Sequence, residues 1–312
     1  MPAASPRSNE NRVPSYQDNK RGIIALTTGC ALFTVNDTIT KITALTHPIG
    51  EVLVVRGIAC LVILGVALLI VHRTLVIHGA LHPMVLLRAG LDALANVTFV
   101  VSLTKLRLAD LMALNLMSPL IVTMLLAFFF REQVGWRRWT AISVGVIGML
   151  LIVKPSPANF NEWAVVALCG ASFSAIRDIV TRRIHPGTST IAVTFISLVG
   201  TTLAGGLFGL VVGERWPVMT AEYTGLLVLA AIFLSAGSAL AVSAFRGVDL
   251  TLVAPFRYSL LIWSGLAGYF IFGEISDRLS IAGTLLIVGS GLYTLYRERV
   301  RHRDIASRTA LR

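Results

Sequence analysis

DLTLVAPFRYSLLIWSGLAGYFIFGE, residues 249–274, decides how the chain is read. It is long and apolar enough to cross a bilayer as a helix, since about 20 apolar residues span ~30 Å of hydrocarbon. Yet Pro255, Arg257 and Tyr258 fall in its first third. Proline removes a backbone donor and collides with the preceding turn. An arginine within a span costs about 2.5–3.5 kcal/mol on insertion scales. A lipid-facing helix has no use for either residue. A helix lining a polar cavity accommodates both, because freed backbone groups and a charge are satisfied there. The stretch therefore predicts a helix on a solute pathway, with Arg257 and Tyr258 facing it.

Composition sets the class in which such a helix makes sense. Of 312 residues, 55% are hydrophobic and 14% charged, and mean hydropathy is +0.77. Soluble domains carry about 25% charged residues, so the chain is expected in a membrane. The net charge of +11 does not suggest nucleic acid, because the basic residues punctuate the apolar runs rather than forming one stripe. The expected partners are the bilayer and a small-molecule substrate, with a homodimer admissible. Cys30, Cys60 and Cys169 all fall inside apolar segments and read as small packing residues, not a disulfide framework. No histidine lies mid-span, and neither a metal nor a cofactor is expected.

Working outward, ten apolar segments appear near 23–44, 51–71, 84–103, 108–130, 137–153, 163–182, 189–213, 223–245, 250–272 and 279–296. Short connections make neighbours antiparallel. Residues 1–21 are polar and read as a disordered cytoplasmic tail without a cleaved signal peptide; 297–312 read as a basic cytoplasmic tail. With the N-terminus inside, 17 of the 27 Lys and Arg fall on the side of the termini and six on the other. The remaining four, Arg56, Arg88, Arg177 and Arg257, lie within spans. This bias predicts a multi-pass protein of the cell (inner) membrane with both termini cytoplasmic.

The second half repeats the first. A shift of 141 carries Gly29, Asp37, Thr40 and Lys41 onto Gly170, Asp178, Thr181 and Arg182. A shift of 142 carries Phe130-Arg131-Glu132 onto Phe272-Gly273-Glu274, and His47-Pro48 has a counterpart in His185-Pro186. Each half, 22–155 and 156–296, holds five spans. Five is odd, so the second half enters from the opposite side. The predicted fold is all-α: ten transmembrane helices as two inverted five-helix repeats around a central cavity, an arrangement typical of secondary transporters.

Ten spans in a five-plus-five repeat, Asp37-x-x-x-Lys41 followed by Glu51 and Arg56, and a closing Glu before the last helix of each half resemble the drug/metabolite transporter (DMT) superfamily, EamA type. The resemblance covers about residues 22–296. It implies alternating access around the central cavity and substrates such as amino acids, riboflavin or S-adenosylmethionine.

Charges inside the spans nominate the site. Opposite charges four residues apart on a helix neutralise each other, and Asp37–Lys41, Arg88–Asp92 and Asp178–Arg182 have that spacing. Arg56, Arg177 and Arg257 have no acidic residue three or four positions away. They must pair across helices, with Asp37, Asp92 or Asp178 as candidate partners, face water or meet an anionic ligand, for which the guanidinium fork is suited. Asn115 lies opposite Arg257 under the 142 shift and Pro119 follows it, so spans four and nine both read as interrupted helices. Asn36 and Asn96 join Arg257, Tyr258, Asn115, Arg177 and Arg56 as candidate pathway residues, and Tyr258, Trp263 and Phe99 as a candidate aromatic wall. Asp37 and Asp178 are the candidate coupling carboxylates. Glu132 and Glu274 are expected to orient the short turns that follow them.

No His-Glu-x-x-His, Gly-x-Ser-x-Gly or Walker A sequence is present, which argues against a membrane enzyme or an ATP-driven pump. A pore-forming channel would want a ring of like residues, whereas these charges are scattered over several spans. The expected function is a secondary transporter of a small polar metabolite, an amino acid or related carboxylate-bearing solute being favoured over a neutral ring compound such as riboflavin.

Overall fold

Where no water reaches the backbone, an apolar run must satisfy its own amides and carbonyls, and each run here does so as a helix. The computed structural model describes residues 15–70, 81–129, 135–154, 161–185, 187–245 and 247–310. Eight helices are long and apolar enough to cross a membrane: Tyr16–Ala44, Ile49–Ile70, Pro83–Lys105, Leu108–Phe128, Glu162–Thr181, Thr190–Val212, Ala221–Ala244 and Arg278–Arg297. Two shorter segments complete ten spans. The fifth is Trp136–Val153. The ninth is broken into Leu250–Val253, a 3-10 turn over Ala254–Tyr258, and Ser259–Phe272. The chain is an all-α multi-pass membrane protein.

Both ends of the helical region differ from expectation. Ser15 accepts from the Asp18 amide while the Asp18 carboxylate accepts from the Ser15 amide. This reciprocal cap starts the first helix at Tyr16, inside the segment expected as a disordered tail. The tenth helix runs on through Ala310, past the expected boundary at residue 296. Residues 1–14, Phe130-Arg131-Glu132, Pro186 and Arg246 lie outside the described residues.

Helices alternate in direction, giving the bundle two faces. One, here the N-terminal face, holds the start of the first span and the 182–189 and 245–249 connections. The far face holds residues 45–48, 106–107 and 273–277. Packing across the halves is paired. Span one packs on span eight as span six packs on span three. Span one also packs on span nine as span six packs on span four, and spans two with seven and five with ten pack on their own counterparts. That is the signature of two inverted repeats facing each other.

The repeated glycines sit at matching close approaches. A Cβ on Gly29 would stand 3.2 Å from the Gly237 carbonyl of span eight, and one on Gly170 would stand 2.6 Å from Thr98 Oγ1 of span three. Small residues let these helix axes close together where lipid supplies no hydrophobic drive for association. Both predicted interruptions are present. Span four breaks at Leu116-Met117, directly after Asn115, and span nine breaks at its 3-10 turn, which ends on Tyr258.

Candidate functional site

The two interrupted spans meet at a cavity of about 430 Å³ between the halves, within the range usual for sites that hold small organic ligands. Its walls come from spans one, three and four of the first half and from six, eight and nine of the second. Asp37, Asn96, Asn115, Arg177, Asp178 and Arg257 supply polar groups. All six are predicted site residues, and the structure brings them onto one surface. Ser118 and Ser174 also line it, and Phe33, Phe99 and Phe245 form its aromatic portion.

The charges pair differently from the i,i+4 expectation. Asp37 does not bond Lys41; it accepts from Asn36 Nδ2 at 2.9 Å. Lys41 reaches up the helix to the far face, where its ammonium donates to Glu274 and to the Leu106 carbonyl. Arg177 is ion-paired: Nη1 lies 2.5 Å from Asp92 Oδ1 and Nη2 2.9 Å from Asp178 Oδ1. Asp178 thus takes its partner from the neighbouring residue rather than from Arg182. Arg88 donates to Thr181 and Ser197 rather than bonding Asp92. The reason is geometric. A surface rule for neighbours on one helix loses to partners that a second helix brings within direct hydrogen-bond reach.

Arg56 is also satisfied away from the cavity. It is 5% exposed and donates to Thr40 Oγ1 at 3.2 Å and Asn96 Oδ1 at 3.4 Å, tying spans one, two and three together. Asn36 is buried behind Asp37, and among the described residues its Oδ1 has no partner. Tyr258 turns away from the cavity, so that its hydroxyl occupies the space a Cβ would need on Gly291 of the tenth span. Trp263 lies on the outer surface, 36% exposed. Of the expected aromatic wall only Phe99 lines the cavity. Phe33 and Phe245 were not singled out, because an aromatic inside an apolar run looks the same whether it meets lipid, protein or ligand.

Arg257 stands apart. It lines the cavity, is exposed to it, and among the described residues its guanidinium makes no ion pair. Among the described residues Arg257 is thus a cavity-lining cation without an ion pair, beside an Arg177 that is shared by Asp92 and Asp178 and an Asp37 that accepts from Asn36.

Residues 20–154 match the EamA-like transporter family. Over those residues the chain carries a domain of this family. An S-adenosylmethionine uptake transporter of Rickettsia bellii is 31% identical over 186 residues, 58% of this chain and 61% of the relative. The match thus spans about three fifths of that relative's length. The pseudopaline exporter CntI of Pseudomonas aeruginosa is 28% identical over 270 residues, 86% of this chain and 94% of the relative. A riboflavin transporter of Vibrio cholerae is 26% identical over 196 residues, 62% and 64% of the two chains. A solved structure described only as a protein crystal structure is 15% identical, with a TM-score of 0.58, covering 90% of this chain and 99% of its own; that likeness shows the fold. The relatives of this family named here are transporters, not enzymes.

Proposed function

We propose that the chain is a secondary transporter that carries a small carboxylate-bearing metabolite, such as an amino acid or a derivative of one, through the central cavity by alternating access. The observation that carries this is Arg257, a cavity-lining cation without an ion pair among the described residues. A lone guanidinium there is costly unless water or an anionic ligand meets it, and a carboxylate matches its fork. S-adenosylmethionine, the solute named for the Rickettsia relatives, is itself an amino acid with a carboxylate. Phe33, Phe99 and Phe245 support an apolar or ring-bearing remainder. They also favour the second reading, a neutral ring compound such as riboflavin, the solute named for the Vibrio relative.

Asp37 and Asp178 line the same cavity and are the carboxylates suited to carry a coupling proton. Proton uptake that stays flat on substrate addition would remove that role. The Lys and Arg excess supports an N-terminal face in the cytoplasm and an inner-membrane location; a reporter fused to the C-terminus that reads as external would reverse this.

Thermal unfolding of the detergent-purified protein against a metabolite panel tests the substrate class. A ligand at about 100 times its Kd stabilises by about 2.7 kcal/mol. Hydrogen bonds to a charged group contribute about 1.5–3 kcal/mol, so Arg257→Ala is expected to weaken a carboxylate ligand by about 10- to 100-fold. A neutral ring compound that stabilises parent and variant equally would overturn the anion reading and leave the phenylalanines as the recognition element.

A further inference from the structure

Among the described residues the lining of the cavity extends towards the N-terminal face. Its lining runs from Leu111, one turn below the far face, to Phe245 at the N-terminal face. Beyond it on the far side stand Leu103, Leu106 and Leu108, all buried, and above them a set of ion pairs. Lys41, 4% exposed, bonds Glu274 and the Leu106 carbonyl and lies 4.9 Å over the Phe272 ring. The other Glu274 oxygen accepts from the Leu108 amide at 2.8 Å, holding the start of span four. Gly273, in the left-handed conformation at φ 64°, ends span nine and turns Glu274 back over Gly268, which is glycine's usual service at a helix end. Farther out, Asp277 accepts from Arg107 at 3.1 Å and Lys154 at 2.8 Å.

Every one of these charge pairs joins the halves. Lys41, Arg107 and Lys154 belong to the first, Glu274 and Asp277 to the second. They connect spans one, four, five, nine and ten, among them both interrupted spans that line the cavity. Rocking of the halves cannot open the cavity to the far face without parting them. We infer that the Lys41–Glu274 pair, backed by the Asp277 cluster, is the far-face gate of the pathway, closed in this conformation. A merely structural role would leave sidedness of access unchanged when the pair is lost; a gate would not.

The inference rests on the carrier reading above, but its test needs no substrate, so either can fail without the other. The probe is a cavity thiol, Ser174→Cys, with Cys30, Cys60 and Cys169 each changed to Ala. It is labelled with a membrane-impermeant maleimide in right-side-out and in inverted membrane vesicles. In the otherwise unaltered protein, labelling is expected only from the N-terminal face. Lys41→Gln or Glu274→Gln should raise the far-face rate by about tenfold or more, the factor carried by one charge-assisted hydrogen bond. The swap Lys41→Glu with Glu274→Lys should restore one-sided access. Should Lys41→Gln fail to fold, Asp277→Asn, at the half-exposed outer cluster, gives the same reading with a smaller rise. Equal labelling from both faces before any gate change, or far-face rates unmoved in folded gate variants, would overturn the gate.

Discussion

Arg56 and Arg257 are the same side chain put to opposite uses. Both lie inside apolar runs, and neither has an acidic residue within a helical turn. Arg56 is sealed between three spans with Thr40 and Asn96 as acceptors, and lies close enough to Asp37 to interact with its charge. Arg257 opens onto the cavity. Removing one partner of a buried charge arrangement strands the other and costs about 3–5 kcal/mol, whereas removing both is far milder. Arg56→Leu is therefore expected to lower unfolding stability by about 3–5 kcal/mol, and Arg56→Leu combined with Asp37→Leu to recover much of it. Arg257→Ala should leave unfolding without ligand nearly unchanged. Denaturation of the four proteins in one detergent checks this, and an Arg257→Ala loss as large as that of Arg56→Leu would show that Arg257 is structural after all.

At the scale of elements, the cross-half interfaces set how much side chain each helix tolerates. Gly29 and Gly170 face backbone or a short hydroxyl side chain at contact distance, while a Cβ on Gly65 meets nothing within 4 Å. Overpacking a close interface costs about 1–3 kcal/mol. Gly29→Val and Gly170→Val are expected to destabilise by that amount, and Gly65→Val to change stability by less than about 0.5 kcal/mol. Melting curves of the three variants decide it; equal losses at all three positions would mean that helix propensity, not packing, sets the effect. The interruptions in spans four and nine follow the same logic of neighbours. Backbone groups freed at Leu116-Met117 and at the 3-10 turn lie against other spans and the cavity, where irregular backbone is tolerated.

For the whole molecule, the parts written in local pattern were legible before any coordinates. Ten apolar runs and the two helix breaks depend on residues near one another in the chain; they appear as helices and interruptions, although the first helix begins earlier and the last runs farther than expected. Six of the nine nominated site residues line one cavity for the same reason, since a polar residue in a span is noticed wherever it points. Pairing was legible only in part. Arg177 finds Asp92 and Asp178, two of the span carboxylates open to it, but Lys41 finds Glu274 across 233 residues, and no periodicity carries such a distance. The Asp277 cluster was invisible for that reason, and it has a measurable consequence. The hydrogen bond from the Lys154 ammonium, with those from Ser280 and Arg107, holds the Asp277 carboxyl well below the usual carboxylate range. A carboxyl depressed in the folded state adds stability that is present above its unfolded value of about 3.9 and is lost as pH falls towards its folded value. The stability gap between the parent protein and Asp277→Asn should thus be flat above about pH 5 and shrink steadily below about pH 4. With Asp277 36% exposed, the gap should also narrow in high salt, as exposed ion pairs do. Melting temperatures from pH 7 to pH 3 at two ionic strengths measure both effects. A gap that is unchanged at pH 3, or that widens in acid, would mean that Asp277 does not bind its two cations as a carboxylate, and the outer cluster would lose its part in holding the halves together.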